Sequence, residues 1–192
     1  MKLFLGIPAR GPLAASVAGL SRELQQRASD LAPSARLSWV PADRFHLTVL
    51  FIGHVDDATA ASLGRALTPP LAQPAFEMTA TGAGVFPATG RPRVIWAGFS
   101  TGRDAFARLQ QDVLARVATV VPLEPSPDAQ PHITLARVKE AAGLRATALL
   151  EGREACPLGT LRVDAVTLFE SRSAGRGVEY LERQRVPLAV AG

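Results

Sequence analysis

Phe45-His46-Leu47-Thr48-Val49-Leu50-Phe51-Ile52 is the stretch on which the reading of this chain turns. Its apolar and β-branched residues, set off by the turn Pro41-Ala42-Asp43, predict a strand. Successive side chains on a strand point to opposite faces, so His46 and Thr48 stand together on one face while Leu47 and Val49 occupy the other. The same arrangement returns at His132-Ile133-Thr134-Leu135, which opens a strand predicted over His132–Val138. The chain has 3 histidines, and two of them begin such a tetrapeptide. One His-x-Thr alone is adequately explained as hydrogen-bonded filler beside a good strand residue. Two, each framed by apolar residues at the alternate positions, are an improbable coincidence. If these strands lie side by side about a pseudo-twofold axis, two imidazoles and two hydroxyls converge on one cleft. Such a set suits a phosphate, with rings for proton transfer and hydroxyls for the non-bridging oxygens.

Outward from these strands, the pattern alternates between strand and helix. Lys2–Ile7 reads as a strand, and Pro12 opens a helix whose apolar stripe is Leu13, Val17, Leu20, Leu24, Ala28 and Leu31. A short strand over Leu37–Val40 follows, and Asp56 or Asp57 caps a helix reaching about Leu67. Strands are predicted at Phe76–Val85 and Arg93–Phe99, then a helix over Arg103–Ala118 with Phe106, Leu109, Val113 and Val117 on its apolar face. Four prolines make Pro122–Pro131 an irregular loop. A helix over about Glu140–Glu151 and strands near Leu161–Phe169 and Val178–Val186 complete the chain. The expectation is an α+β fold without an internal linker, a single bilobal unit over residues 1–192.

Composition bounds the function classes. With 47% hydrophobic and 20% charged residues among 192, the chain is expected to bury a core and not to be disordered. Its apolar runs, Leu47–Ile52 among them, are too short to cross a bilayer, and Met1–Pro8 lacks the long apolar segment of a signal peptide. The single cysteine, Cys156, has no internal disulfide partner and reads as a partly buried free thiol, which suits a reducing cytoplasm. A net charge of +4, carried almost wholly by arginine, favours a polyanionic partner such as RNA.

The residues around the paired motifs carry a family likeness. Trp39-Val40-Pro41 precedes the first motif, and Leu50-Phe51-Ile52-Gly53 follows it. Phe86-Pro87 and Pro92-Arg93-Val94-Ile95-Trp96 lie between the motifs, and Ala136-Arg137-Val138-Lys139 extends the second. Val166-Thr167-Leu168-Phe169-Glu170-Ser171 and Tyr180 come late in the chain. In these features the sequence resembles the bacterial and archaeal RNA 2′,3′-cyclic phosphodiesterases, also called 2′-5′ RNA ligases, of the 2H phosphoesterase superfamily. It departs from them in the approach to His132, where Glu124 and Gln130 stand in place of an acidic-Arg stretch and a Phe.

The resemblance implies two pseudo-symmetric lobes with antiparallel sheets lining a central cleft and helices on the outside. It further implies hydrolysis of a terminal 2′,3′-cyclic phosphate to a 2′-phosphate without metal or cofactor, with 2′-5′ ligation as a related reaction. His46 is then the proton donor and His132 the proton acceptor, with Thr48 and Thr134 holding the phosphate; the residues alone do not separate the two histidine roles. Partners would be RNA with a cyclic-phosphate end or a related small cyclic nucleotide, with no membrane and no obligate protein partner. Rival readings are a phosphodiesterase for a small cyclic nucleotide or ADP-ribose cyclic phosphate, and an RNA-end-binding module without turnover.

Smaller expectations attach to other residues. Arg137 is either a phosphate ligand or a structural ion pair, because simple alternation puts it on the face opposite His132. Phe86 either stacks a base or packs in the core. Trp39 and Trp96 are expected in the core, and His54 in a loop rather than in a metal site with Asp56 and Asp57. Gly82-Ala83-Gly84 lacks the Lys-Ser/Thr of a phosphate-binding loop.

Overall fold

A computed structural model describes residues 1–123, 130–175 and 177–189. In chain order its elements are β1 (Lys2–Pro8), α1 (Gly11–Leu31), β2 (Arg36–Trp39), a 3-10 turn at Ala42–Arg44, β3 (His46–His54) and α2 (Asp57–Ala66). These are followed by β4 (Leu71–Pro74), β5 (Phe76–Phe86), β6 (Val94–Phe99), α3 (Arg103–Ala118) and β7 (His132–Glu140). The last are α4 (Ala146–Leu150), β8 (Pro157–Val163), β9 (Ala165–Ala174) and β10 (Gly177–Ala189). Local chemistry explains several boundaries. Pro12 sits at the start of α1, and the Asp56 carboxylate accepts the Thr59 N–H at 2.7 Å to cap α2.

The strands form one 10-stranded sheet in the order β4-β10-β9-β1-β3-β7-β6-β5-β8, with β2 beside β7. All pairings are antiparallel except β4 with β10. The fold is therefore α+β, and the two lobes that the family resemblance implies are the two halves of this sheet. They meet where Leu47 of β3 pairs with Ile133 of β7, both almost fully buried. The halves interleave along the chain. α1 leaves β1 in one half and packs against β8 in the other, while α3 leaves β6 and packs against β3 and β4. Each long helix thus ties one half of the sheet to the other.

The hydrophobic core lies on the helix side. It takes Leu3, Leu5 and Ile7 from β1, Leu47 and Val49 from β3, and Ile133 and Leu135 from β7. The predicted stripes Leu13, Val17, Leu20, Leu24 and Ala28 of α1, and Phe106, Leu109, Val113 and Val117 of α3, are buried against it, whereas Leu31 is exposed. No helix among the described residues is long and apolar enough to cross a membrane.

Three sequence expectations need correction. The helix foreseen over Glu140–Glu151 is only Ala146–Leu150, because β7 continues to Glu140 and the chain turns at Gly143, whose φ is +73°. The strand foreseen over Leu161–Phe169 is two strands that separate at Asp164. β8 pairs with β5, whereas β9 pairs with β1 and β10. β4 was not foreseen: it is a four-residue strand among prolines, formed because β10 lies alongside. The Pro122–Pro131 loop falls largely outside the described residues, and Glu124 with it.

Candidate active site

The two His-x-Thr strands lie next to each other, antiparallel, at the centre of the sheet. Leu47 pairs with Ile133, so the register sets His46 across from Thr134 and Thr48 across from His132. Leu47 and Ile133 point into the core, which leaves both imidazoles and both hydroxyls on the open face. His46, Thr48, His132 and Thr134 are all half-buried there.

Each motif is followed by a β-bulge, and the bulges decide what else reaches this face. On β7, Ile95 opposes Ala136 and Trp96 opposes Thr134, so Leu135 has no partner on β6. Val94, Trp96 and Gly98 share one face of β6, and their partners Arg137, Thr134 and His132 share the corresponding face of β7. Arg137 therefore joins the histidines, contrary to simple alternation. On β3, Leu5 opposes Leu50 and Gly6 opposes Thr48, leaving Val49 unopposed, and Phe51 comes round beside Phe4. Both bulge carbonyls are satisfied. Gln110 Nε2 donates to Val49 O at 3.1 Å, and the Val40 N–H donates to Leu135 O at 2.8 Å.

The histidines are oriented alike. His46 Nδ1 lies 2.8 Å from the Arg44 carbonyl, and His132 Nδ1 lies 2.8 Å from the Gln130 carbonyl. A carbonyl only accepts, so Nδ1 carries the proton in each ring and Nε2 is left free. Burial lowers the pKa of His46 below its ordinary value; the Arg44 carbonyl opposes this, and the charges of His132 and Arg137 lower it further. His132 is lowered by burial and then by Arg137, against the opposing pull of the Gln130 carbonyl. Both rings thus feel the Arg137 guanidinium, and His46 also feels His132.

Aromatic rings flank both imidazoles. Phe4 and Tyr180 lie 5.0 and 5.2 Å from His46, ring centre to ring centre, and Phe169 stacks on Phe4 at 5.1 Å. Phe86 stands edge-on to His132 at 5.0 Å, and Trp96 lies 6.5 Å from it. Phe86 is therefore part of the wall of the site. Trp39 does pack against the core, but Trp96 does not: it stands on the open face with its indole over Gly84 and Gly98. A Cβ at Gly84 would come within 2.2 Å of that ring, so close packing here requires glycine. Trp96 Nε1 is buried without a hydrogen-bond partner among the described residues.

Sequence reasoning missed Phe4, Phe51, Phe169 and Tyr180 as residues of this face. Phe4 and Phe169 sit in strands apolar on both sides, where no alternation marks an open face, and a bulge places Phe51. His54 ends β3 and is exposed, while Cys156 is partly buried with its thiol 3.6 Å from the Arg153 carbonyl.

Known proteins resemble this chain in sequence and in architecture. The model of the 2′-5′ RNA ligase superfamily matches residues 17–175, a span that includes both motifs. A protein of Aeropyrum pernix named RNA 2′,3′-cyclic phosphodiesterase is 32% identical over 155 residues, covering 80% of this chain and 87% of its own. One of the same name from Aquifex aeolicus is 29% identical over 145 residues, covering 74% and 77%. Among solved structures, TT0787 of Thermus thermophilus superposes over 100% of both chains with a TM-score of 0.76 and 25% identity. Escherichia coli LigT complexed with 3′-AMP covers 97% of both chains with a TM-score of 0.69 at 24% identity, and so adds to the likeness of fold alone. With the family match running through both His-x-Thr strands and the two-halved sheet reproduced over its whole length, this chain belongs to the 2′-5′ RNA ligase superfamily.

Proposed function

We infer that the protein hydrolyses the terminal 2′,3′-cyclic phosphate of RNA to a 2′-phosphate, with residues 1–192 acting as one unit. The observation that supports this most directly is the meeting of the two His-x-Thr pairs across the Leu47–Ile133 junction, each ring tethered through Nδ1 with Nε2 free. Relatives from A. pernix and A. aeolicus bear the name of this activity, which favours a cyclic phosphate over other phosphodiesters.

In this reading His132 Nε2 takes a proton from water as its oxygen bonds to phosphorus. The P–O3′ bond breaks, and protonated His46 delivers its proton from Nε2 to the departing O3′. The donor and acceptor labels follow family resemblance, since both rings have the same tether and the same direction of pKa shift. Thr48 and Thr134 donate hydroxyl hydrogens to the non-bridging oxygens, and Arg137 adds a charge-assisted contact as negative charge grows on them. The two histidines handle both proton transfers, so the scheme calls for no metal ion. A 5′-hydroxyl in place of water would give 2′-5′ ligation by the same steps. Phe51 and Phe86 offer aromatic surface for a nucleobase. The chemistry and the lone cysteine both suit the cytoplasm.

The test is an oligoribonucleotide ending in 2′,3′-cyclic phosphate, incubated with the protein in EDTA beside a His46→Ala/His132→Ala control. Conversion to a 2′-phosphate by the wild type alone is expected. Absence of turnover across roughly pH 5–9, the span in which one imidazole of such a pair can act as acid and the other as base, would overturn the assignment.

A further inference from the structure

In a flat sheet Tyr180 would lie far from His46. It pairs with Ser171 of β9, Ser171 with Lys2 of β1, and Lys2 with His54. His46 and His54 mark the two ends of β3, about 26 Å apart along a regular strand. Yet the Tyr180 ring stands edge-on to the His46 imidazole at 5.2 Å, and 5.0 Å from the ring of Phe4. The β9–β10 hairpin therefore curls over the open face, back toward the start of β3. Arg183 is unopposed in the pairing of β10 with β9, and this bulge adds to the twist that carries the hairpin there.

Two arginines hold the curled hairpin down. Arg10, just after β1, pairs with Glu182 at 2.5 Å. Arg44, two residues before His46, donates from its guanidinium to the Val178 carbonyl. Arg44 forms no ion pair among the described residues, which leaves this carbonyl as the partner of its side chain there. Its backbone has a second task. Arg44 ends the three-residue 3-10 turn at Ala42–Arg44, with its N–H donating to the Pro41 carbonyl at 3.0 Å. A turn so short holds its shape weakly by itself. The Arg44 carbonyl accepts the Nδ1–H of His46 at 2.8 Å. One residue thus grips the hairpin by its side chain and the His46 ring by its backbone, while the hairpin lays Tyr180 against the same ring. His132 takes its tether from Gln130, ahead of β7, and draws nothing from Arg44.

We propose that Arg44 is a positioning residue for His46: anchored on the Val178 carbonyl, it fixes the turn whose carbonyl keeps a proton on Nδ1 and aims Nε2 into the cleft. The proposal rests on the reading of the site as a cyclic phosphodiesterase, in which His46 Nε2 delivers a proton to the departing oxygen. The hydrogen bond made at one ring nitrogen decides which nitrogen carries the proton in the neutral ring. A ring freed from its tether loses both that tautomer and its aim, and a displacement of about 1 Å can cost about 10²-fold in rate.

The test uses Arg44→Met, which keeps an apolar stem without a donor, and Arg44→Lys, whose ammonium can donate to the same carbonyl. Ring-nitrogen NMR at about pH 8, above the ordinary histidine value, reads the neutral tautomers. In the wild type, His46 and His132 should both be Nδ1–H. In Arg44→Met, His46 alone should shift toward the Nε2–H form, with His132 as the internal control for an intact sheet. On a 2′,3′-cyclic mononucleotide the same variant should lose kcat about 10- to 100-fold, with KM within about twofold of wild type. Arg44→Lys should restore most of the ring signal and most of kcat. Unchanged His46 signals in Arg44→Met, an equal change at His132, or changed His46 signals with wild-type kcat would overturn the proposal. So would a rise in KM at constant kcat, which would make Arg44 a substrate ligand. If the wild type cleaves no cyclic phosphate, the hydrolase reading fails by itself, and the positioning of His46 stands or falls on the ring signals alone.

Discussion

Phe51 and Arg137 occupy equivalent positions in the two halves of the sheet: each lies five residues after its histidine, and each reaches the cleft face because a bulge follows the His-x-Thr pair. The backbone relation is symmetric and the chemistry is not. One half presents an aromatic ring that is 61% exposed, the other a guanidinium close enough to lower the pKa of both histidines. A cyclic nucleotide end has the same duality, with a flat base on one side and a charged phosphate on the other.

Removing these two side chains should therefore separate binding of the base from work on the phosphate. Arg137→Ala should lower kcat/KM about 10- to 150-fold, the equivalent of one hydrogen bond to a charged group, about 1.5–3 kcal/mol. Arg137→Lys should restore only part of it, because an ammonium cannot make the bidentate contact. Phe51→Ala should raise KM by a factor of about 5 to 150, in line with about 1–3 kcal/mol for stacking one base, with kcat largely preserved. Steady-state kinetics on a 2′,3′-cyclic mononucleotide reads both, and a Phe51→Ala variant with unchanged KM would remove the ring from the substrate site.

The two histidines should each matter on the scale of general acid–base catalysis. His46→Ala or His132→Ala should lower kcat about 10²–10⁴-fold, and the double variant little further, since the two groups act in one concerted step. Single-turnover assays with a matched circular dichroism spectrum would separate lost chemistry from lost fold. A variant retaining more than a tenth of wild-type kcat would exclude that ring from proton transfer.

The pH profile follows from the direction of the shifts. As proton acceptor, His132 must be neutral. Burial and Arg137 lower its pKa, so activity should persist on the acid side of about 6.5, the ordinary histidine value. As donor, His46 must be protonated, and burial together with the Arg137 charge also lowers its pKa. The alkaline limb of kcat/KM should therefore also fall below about 6.5, placing the bell on the acid side. Bound phosphodiester is an anion and favours the imidazolium, so the alkaline limb of kcat should move upward. A kcat/KM plateau running past about pH 8 would contradict a protonated donor with this surrounding.

Gly84 tests the support behind His132. A Cβ there would overlap the Trp96 indole, so Gly84→Ala should shift that ring toward Phe86 and His132 and destabilise the protein by about 1–3 kcal/mol, as overpacking does. Urea denaturation followed by tryptophan fluorescence should show a lower midpoint together with a changed folded-state spectrum. A midpoint identical to wild type would mean that the indole moves aside freely.

Local pattern made much of this readable in advance. The stripes of α1 and α3, the Asp56 cap of α2, and the opposed faces of His46-Leu47-Thr48-Val49 and His132-Ile133-Thr134-Leu135 depend on residues within a few positions of one another. The break at Asp164 was not readable in this way, because strand-forming residues flank it on both sides, Leu161 and Val163 before it and Val166 and Thr167 after it. Partners far away in the chain pull Val163 and Ala165 into different pairings: Val163 pairs with Phe76, and Ala165 with Pro187.

By itself, then, the sequence determined the content of strand and helix, the α+β class, and two half-buried strands that each offer an imidazole and a hydroxyl on one face. These follow from periodicity, which is local and needs no knowledge of what lies opposite. Only the tertiary structure decided that Leu47 pairs with Ile133, that α1 and α3 cross between the halves, and that Arg137 and Phe51 turn toward the histidines. A bulge is a mismatch in count between two paired strands, so it exists only once the partner strand is in place. The Arg10–Glu182 ion pair has the same origin, since its two partners meet only across the fold.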